Sequence, residues 1–338
     1  MEPEATGGSN GSSVAKTAIW LVVLVLVVGG LIVYGSKGGE KKEAVKEPIK
    51  IGVLLPLTGD GAVYGEPARN VYQMAAGEIN EAGGINGQTL ELIVEDSKCN
   101  GKDATSAAQK LISVDNVQII LGGFCSSESI ASVPVAEAAK VALLSAGSSS
   151  PDLTGISPYF FRNYPSDASQ GSVLADAAVA KGLKKIAFLQ EQTDYALGIF
   201  KAFSTRFEEL GGTIVKEEIP STQTDFRSAL TKLKATNANA FFVDPQTLPV
   251  AERVFKQMQD LKWKPSLLVN DVIGGASETL ASYKDLLEGA LTAEFTADPS
   301  NPKFTKLLAD YKAKYGVDLL YAASYGPTEY DAVYQIKA

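Results

Sequence analysis

From residue 49 onward the chain repeats one pattern: a short apolar run, a loop rich in glycine and hydroxyls, then a segment with helical spacing. The runs cover 49–55, 90–95, 117–121 and 141–144, with helical segments near 66–82, 102–114 and 129–140 between them. None of the runs alternates apolar with polar residues, so both of their faces must be covered. That is the signature of a parallel sheet wound by helices on either side. The same grammar returns after Pro165, with strands expected at 186–190, 213–219, 240–244 and 266–270 and helices ending near Lys181, Leu210, Ala235 and Leu261. No close sequence repeat relates the two halves. The expected fold class is therefore α/β, with two doubly wound parallel-sheet lobes joined by a hinge. Lobe 1 takes residues 49–164 plus 298–338 and lobe 2 takes 165–297, with crossings at 161–165 and 293–299. Helical segments at 302–315 and 325–338 return to lobe 1.

Ahead of this body stand three pieces of different composition. Residues 1–17 are rich in Gly, Ser and acid and have nothing to bury, which predicts a disordered tail. Residues 18–35 are expected to form one transmembrane anchor: 18–34 carry no charge, and Trp20 and Tyr34 lie near the ends as interfacial residues. A cleaved signal peptide is the alternative, but the run exceeds the usual apolar core of about 7–15 residues and no Ala-x-Ala site follows. Without a cysteine here, lipid attachment is excluded. Residues 36–48 form a charged linker.

Composition removes several function classes. Among 338 residues there is no histidine, so the commonest general base, the Ser-His and Cys-His nucleophile systems and most zinc sites are absent. Two cysteines make no four-thiolate site, and neither a metal nor a cofactor is expected. A net charge of −8 without a basic stripe argues against nucleic acid as a partner. The expectation is a binding protein and not an enzyme.

In open parallel sheets ligands bind beyond the carboxyl ends of the strands, which directs attention to the loops there. Gly122 to Ser129 (Gly-Gly-Phe-Cys-Ser-Ser-Glu-Ser) reads as a strand-loop-helix junction that gathers free N–H groups, a helix dipole and three hydroxyls, as a carboxylate requires. Hydroxyls and glycines dominate the lobe 1 loops, including Gly147 and Ser149. Aromatic and acidic groups dominate those of lobe 2, including Tyr195 and Asp271. Gly59, Gly61 and Gly65 have the spacing G-x-G-x-x-x-G, which is not the dinucleotide fingerprint, so NAD is rejected.

These residues resemble the amino-acid-binding proteins of ABC transporters of the leucine/isoleucine/valine type, with the class I periplasmic-binding-protein-like fold. The resemblance spans 49–338. It rests on Ile51-Gly52-Val53-Leu54-Leu55-Pro56-Leu57-Thr58-Gly59 with Tyr64-Gly65, on Asn80-Glu81-Ala82-Gly83-Gly84-Ile85-Asn86-Gly87, on Cys99 with Phe124-Cys125-Ser126-Ser127, and on Ser149-Ser150-Pro151. It implies that Ser126 holds a ligand carboxylate, that Gly147 and Ser149 offer a carbonyl and a hydroxyl, and that Asp271 pairs with an α-ammonium. Tyr64, Tyr195 and Tyr325 would line the cleft, with Phe124 beside the side-chain pocket. Thr247 stands where the family has a tyrosine, and Asp271 where it has a glutamate. The resemblance also implies a Cys99–Cys125 disulfide, and hence an oxidising compartment.

Lys37, Lys41, Lys42 and Lys46 follow the apolar span while only Lys16 precedes it, a count that would leave the body inside the cell. The implied disulfide points outside, where a receptor meets its solute. The functional expectation is a monomeric receptor anchored in the cell membrane by a single pass, with its binding domain on the extracellular or periplasmic side. It would capture an aliphatic or branched-chain amino acid and deliver it to ABC permease subunits. The alternatives are an amide, urea or aromatic acid as ligand, or a ligand-sensing ectodomain.

Overall fold

In the computed structural model the backbone is described for residues 12–35 and 46–338, and side chains for 18–30 and 46–338. The chain divides into an N-terminal unit, Met1–Lys46, and a body, Glu47–Ala338.

The N-terminal unit contains helix α1, Ser12–Gly35, whose described apolar side chains from Ile19 to Val28 are all exposed. Among the described residues no helix is long and apolar enough to cross a membrane. The segment expected over 18–35 as a transmembrane anchor is helical, but its described part does not make a membrane-spanning helix; its side chains beyond residue 30, Tyr34 among them, lie outside the described residues. Of the tail expected to be disordered over 1–17, residues 12–17 instead form the first turns of α1; 1–11 and most of the linker, 36–45, lie outside the described residues.

The body holds two parallel sheets. The first is built from β1 (Ile49–Leu55), β2 (Leu90–Asp96), β3 (Ile119–Leu121), β4 (Ala142–Ser145) and β5 (Phe160–Arg162), in the order β2-β1-β3-β4-β5. Helices α2 (Ala62–Glu81), α3 (Gly101–Ser113) and α4 (Ser126–Ala139) connect its strands. Helix α5 (Asp167–Ala180) leads into the second sheet. That sheet comprises β6 (Lys185–Glu191), β7 (Thr213–Ile219), β8 (Ala240–Asp244) and β9 (Ser266–Val269), in the order β7-β6-β8-β9. Its connecting helices are α6 (Asp194–Glu209), α7 (Arg227–Ala235) and α8 (Leu248–Asp260). Three short helices follow, α9 (Asp271–Gly274), α10 (Ser277–Ser282) and α11 (Lys284–Leu287), and then α12 (Pro302–Tyr315) and α13 (Gly326–Lys337).

The lack of alternation in the strands has the expected cause. In β1, Ile51, Val53 and Leu55 enter the core beneath α2 and α13, while Leu54 enters a separate core with Leu111, Ile120 and Leu143 on the opposite face. β6 divides likewise, with Ala187 and Leu189 in one core and Ile186 and Phe188 in another. A strand buried on both faces has no position left for a polar residue.

Two elements differ from expectation. Residues 161 and 162 stand at the start of the crossing expected over 161–165, yet with Phe160 they pair with β4 as a fifth parallel strand, Leu143 opposite Phe160. Three residues carry too little pattern to be read as a strand; only the neighbouring edge makes them one. Helix α2 begins at Ala62, four residues before the expected start, with Pro67 inside it. This places Tyr64 on the first turn of a helix, and not in a loop.

Gly65 fixes how closely that turn lies against the end of β1, since a Cβ added there would sit 2.0 Å from the Pro56 carbonyl oxygen. Gly65→Ala is therefore expected to destabilise the body by about 2–3 kcal/mol, the upper range for overpacking. Chemical denaturation would detect this as a lower midpoint, and a change under about 0.5 kcal/mol would mean that the turn moves freely.

Candidate functional site

The carboxyl ends of both sheets face one cleft, and the loops there meet around a small enclosed cavity. It is lined by Tyr64, Phe124, Ser126, Gly147, Ser149, Tyr195 and Tyr325 together with Cys125, Gln246 and Val272. Seven of the nine expected ligand residues, all except Asp271 and Thr247, thus come from distant parts of the chain to line one cavity. Asp271 lies just behind. Its carboxylate accepts hydrogen bonds from the hydroxyls of Tyr195, of Tyr164 at 3.4 Å and of Tyr325 at 3.4 Å. Thr247 differs: it precedes α8 without its hydroxyl bonding the helix's first turn, and it lines a neighbouring outer compartment of the cleft, not the inner cavity.

The lobe 1 side is the junction at the end of β3. Gly122 has φ +125° and approaches Leu54 so closely that a Cβ would lie 2.3 Å from its carbonyl oxygen. The chain then enters α4 at Ser126, with Cys125 as the cap residue. The buried Glu128 carboxylate accepts N–H bonds from Cys125 at 2.8 Å and Cys99 at 2.7 Å, and the Cys99–Cys125 disulfide joins the same two loops. The three serines have separate tasks. Ser126 Oγ accepts from the Ser150 N–H at 3.1 Å, Ser127 Oγ accepts from the Asp194 N–H across the cleft at 3.3 Å, and Ser129 Oγ donates to the Gly123 carbonyl at 3.1 Å. Ser129 is therefore part of the loop's own scaffold. Phe124 stacks on Tyr64 with ring centroids 5.0 Å apart, and Tyr325 meets Phe124 edge-on at 4.9 Å.

The lobe 2 side is acidic. Asp271 opens α9 directly after β9, and its side chain turns to the tyrosines without capping the helix. Asp167, at the start of α5, and Asp244, at the end of β8, are fully buried near it. Among the described residues neither Asp167 carboxyl oxygen has a hydrogen-bond partner, and Asp244 has one oxygen bonded, accepting from Asn270 Nδ2 at 2.9 Å. Burial pushes both of these carboxyls well above the usual range, and the Asp271 charge pushes in the same direction. Burial likewise raises the Tyr164, Tyr195 and Tyr325 hydroxyls, again with the Asp271 charge adding to it. These tyrosines stay neutral donors at any physiological pH. Sequence reading missed Asp167, Asp244, Gln246 and Val272. The signal available for Asp244 and Gln246 was their position at and just after the end of β8, where an acid is more often a helix cap.

The cavity measures about 10 Å³, room for about one water. Contacts across the cleft hold it shut: Tyr64 donates to the Gln246 carbonyl at 3.0 Å and Arg253 pairs with Asp60 at 2.6 Å. Entry of a molecule the size of an amino acid requires the lobes to part, which is hinge motion.

Buried carboxyls also set a pH dependence for the body. Burial raises Glu128 and Glu191 to about 7 and Glu329 to about 8, against an ordinary value of 4.5. Between about pH 4.5 and 8 the folded state holds more protons than the unfolded one, so stability is greatest at the acid end and falls as pH rises through 7 to 8. The melting temperature is expected to drop by several degrees from pH 5 to pH 8.5, with Glu329→Gln flattening the slope. Calorimetry showing equal or higher melting at pH 8.5 would contradict this.

Two wound α/β lobes closing on a buried, polar-ended cavity define a two-lobed solute-binding protein. Residues 48–337 match the family profile of periplasmic binding proteins, and the chain belongs to that family. An amino acid binding protein of Pseudomonas aeruginosa is 30% identical over 270 residues, covering 78% of this chain and 70% of that protein. A leucine-, isoleucine-, valine-, threonine- and alanine-binding protein of the same organism is 29% identical over 272 residues, covering 79% and 72%. Among solved structures, a leucine-binding protein of Thermotoga maritima superposes with TM-score 0.75 at 27% identity, covering 85% of this chain and 81% of that one. A branched-chain amino acid transporter substrate-binding protein of Streptococcus pneumoniae, solved with isoleucine, also gives 0.75 at 27%, covering 86% and 83%. The family is one of extracytoplasmic, non-enzymatic binding proteins, and the chain is such a protein.

Proposed function

We propose that this protein captures an amino acid with an aliphatic or branched side chain in the interlobe cleft and delivers it to the permease of an ABC transporter. Lobe 1 comprises 49–164 plus 298–338 and lobe 2 comprises 165–297. The observation that carries this reading is the buried Asp271 carboxylate, ringed by three tyrosine hydroxyls, behind a cavity whose other wall presents Ser126, Gly147 and Ser149. An α-ammonium supplies the positive charge this acidic side lacks. The Ser126 and Ser149 hydroxyls donate to the α-carboxylate, the Gly147 carbonyl accepts from the ammonium, and Phe124, Tyr64 and Val272 give an aliphatic side chain an apolar wall. A ligand touching both lobes favours the closed form, and that differential affinity drives closure. An aromatic acid brings a carboxylate but no cation, so it leaves Asp271 and its neighbours uncompensated. The names of the relatives at 27–30% identity support the amino acid class.

The same reading places α1 in a membrane as a single-pass tether, with the body, a monomer, on the extracellular or periplasmic side. An uncharged stretch over 18–34 and the wholly exposed apolar side chains of its described part support this. The disulfide supports the oxidising side. Full-length protein is expected to stay with membranes through an alkaline carbonate wash and to leave with detergent; release by carbonate alone would reject the tether. For the ligand, calorimetric titration with the twenty amino acids, simple amides, urea and benzoates is decisive. Binding by aliphatic amino acids is expected, and failure of every α-amino acid would overturn the reading.

A further inference from the structure

The cleft has a second compartment that the amino-acid site above does not use. It measures about 520 Å³ and adjoins the inner cavity through Gln246, the residue that lines both. Gln246 is a fixed partition: its N–H donates to Glu191 Oε2 at 2.7 Å, and its carbonyl accepts from the Tyr64 hydroxyl at 3.0 Å. Beyond the partition the walls are polar, with Asp60, Ser127, Glu191, Thr193 and Thr247 among them. An aliphatic group gains little in such surroundings.

The polar atoms there are set to accept. Gln246 Oε1 and Thr247 Oγ1 belong to residues only 8% and 4% exposed, and neither atom has a hydrogen-bond partner among the described residues. Glu191 is 3% exposed and brings a carboxylate to the same wall. Two cations stand by: Lys98, which also lines the compartment, pairs with Asp103 at 3.1 Å, and Arg253 pairs with Asp60 at 2.6 Å while its charge offsets part of that on Glu191. Buried acceptors without donors are costly, and a buried carboxylate that no cation contacts among the described residues, as at Glu191, more so. Both demands are met by one kind of group, a cation carrying several N–H donors.

We propose that this outer compartment is a second subsite, which takes the ammonium or guanidinium terminus of a long-chain amino acid whose α-carbon end occupies the inner site. The proposal rests on the amino acid reading above and extends its ligand class from aliphatic side chains to those with an aliphatic spacer and a cationic end. The spacer lies along the apolar wall of Tyr64 and Phe124, and the terminus passes Gln246 to reach Glu191 and Thr247. Charge is the discriminating term, since lysine and norleucine share the same spacer and differ only in the terminal ammonium.

Titration of the purified protein with lysine, arginine, norleucine and 2-aminobutyrate tests this directly. Lysine or arginine is expected to bind at least tenfold more tightly than norleucine. In Glu191→Gln and, separately, Thr247→Val, the ratio of lysine to norleucine affinity is expected to fall to about threefold or less. Using both variants guards against one of them failing to fold. Binding of norleucine and 2-aminobutyrate without any preference for lysine or arginine overturns the subsite and leaves the amino acid reading standing. A preference retained in both variants also overturns it. If none of the four amino acids binds, the subsite falls, while the amino acid reading stands or falls on the wider titration above.

Discussion

Asp271→Ala is expected to cost at least 100-fold in amino acid affinity by calorimetry. Removing one partner of a buried charge pair costs about 2–5 kcal/mol, mostly because the remaining charge is left without compensation. Here the ligand ammonium would face Tyr164, Tyr195 and Tyr325, all donors, with no anion among them to receive it. Asp271→Glu keeps the charge on a longer arm and is expected to lose far less. The alanine variant should remain folded by circular dichroism, since Asp167 and Asp244 beside it are relieved of a like charge. If the alanine variant binds as well as the parent, the ammonium is held elsewhere and the orientation proposed for the ligand is wrong.

The second large effect concerns the staple between the β2–α3 and β3–α4 loops. The disulfide joins residues 26 apart in sequence, and a closed loop of that size contributes about 3.5 kcal/mol in the chain-entropy treatment. Replacing both cysteines by serine is expected to lower the melting temperature by about 7–10 °C. Affinity should fall as well, because Ser126 follows Cys125 and owes its position to this link. Glu128 limits the damage, as its carboxylate bridges the Cys99 and Cys125 N–H groups whether or not the sulfurs are joined. Adding Glu128→Ala to the double replacement is therefore expected to lower affinity further than either change alone. Unchanged melting in the double serine variant would show that the loops are held by packing.

Much of this architecture was legible in the residues because burial on two faces leaves a clear mark. β1 and β6 read as uninterrupted apolar runs, and each sends alternate side chains into two cores. β5 left no such mark, being three residues at a sheet edge with Phe161 exposed. The site was legible where residue type and loop position coincide, as for Ser126, Ser149, Tyr195 and Asp271, which the fold brings to one cavity or its edge. Thr247 followed the chain position of a cleft residue, but the partition at Gln246 puts it on the outer side.

The sequence by itself determined the two parallel sheets, the exclusion of histidine chemistry and the set of polar loops, because periodicity and composition are properties of a chain read locally. Only the tertiary structure decided which acids face one another, that Asp167 and Asp244 stand beside Asp271, and that the cleft is divided in two. Those facts depend on residues more than 20 positions apart meeting across a closed interface, and burial turns such meetings into shifted protonation and unpaired acceptors. No local pattern along the chain carries that information.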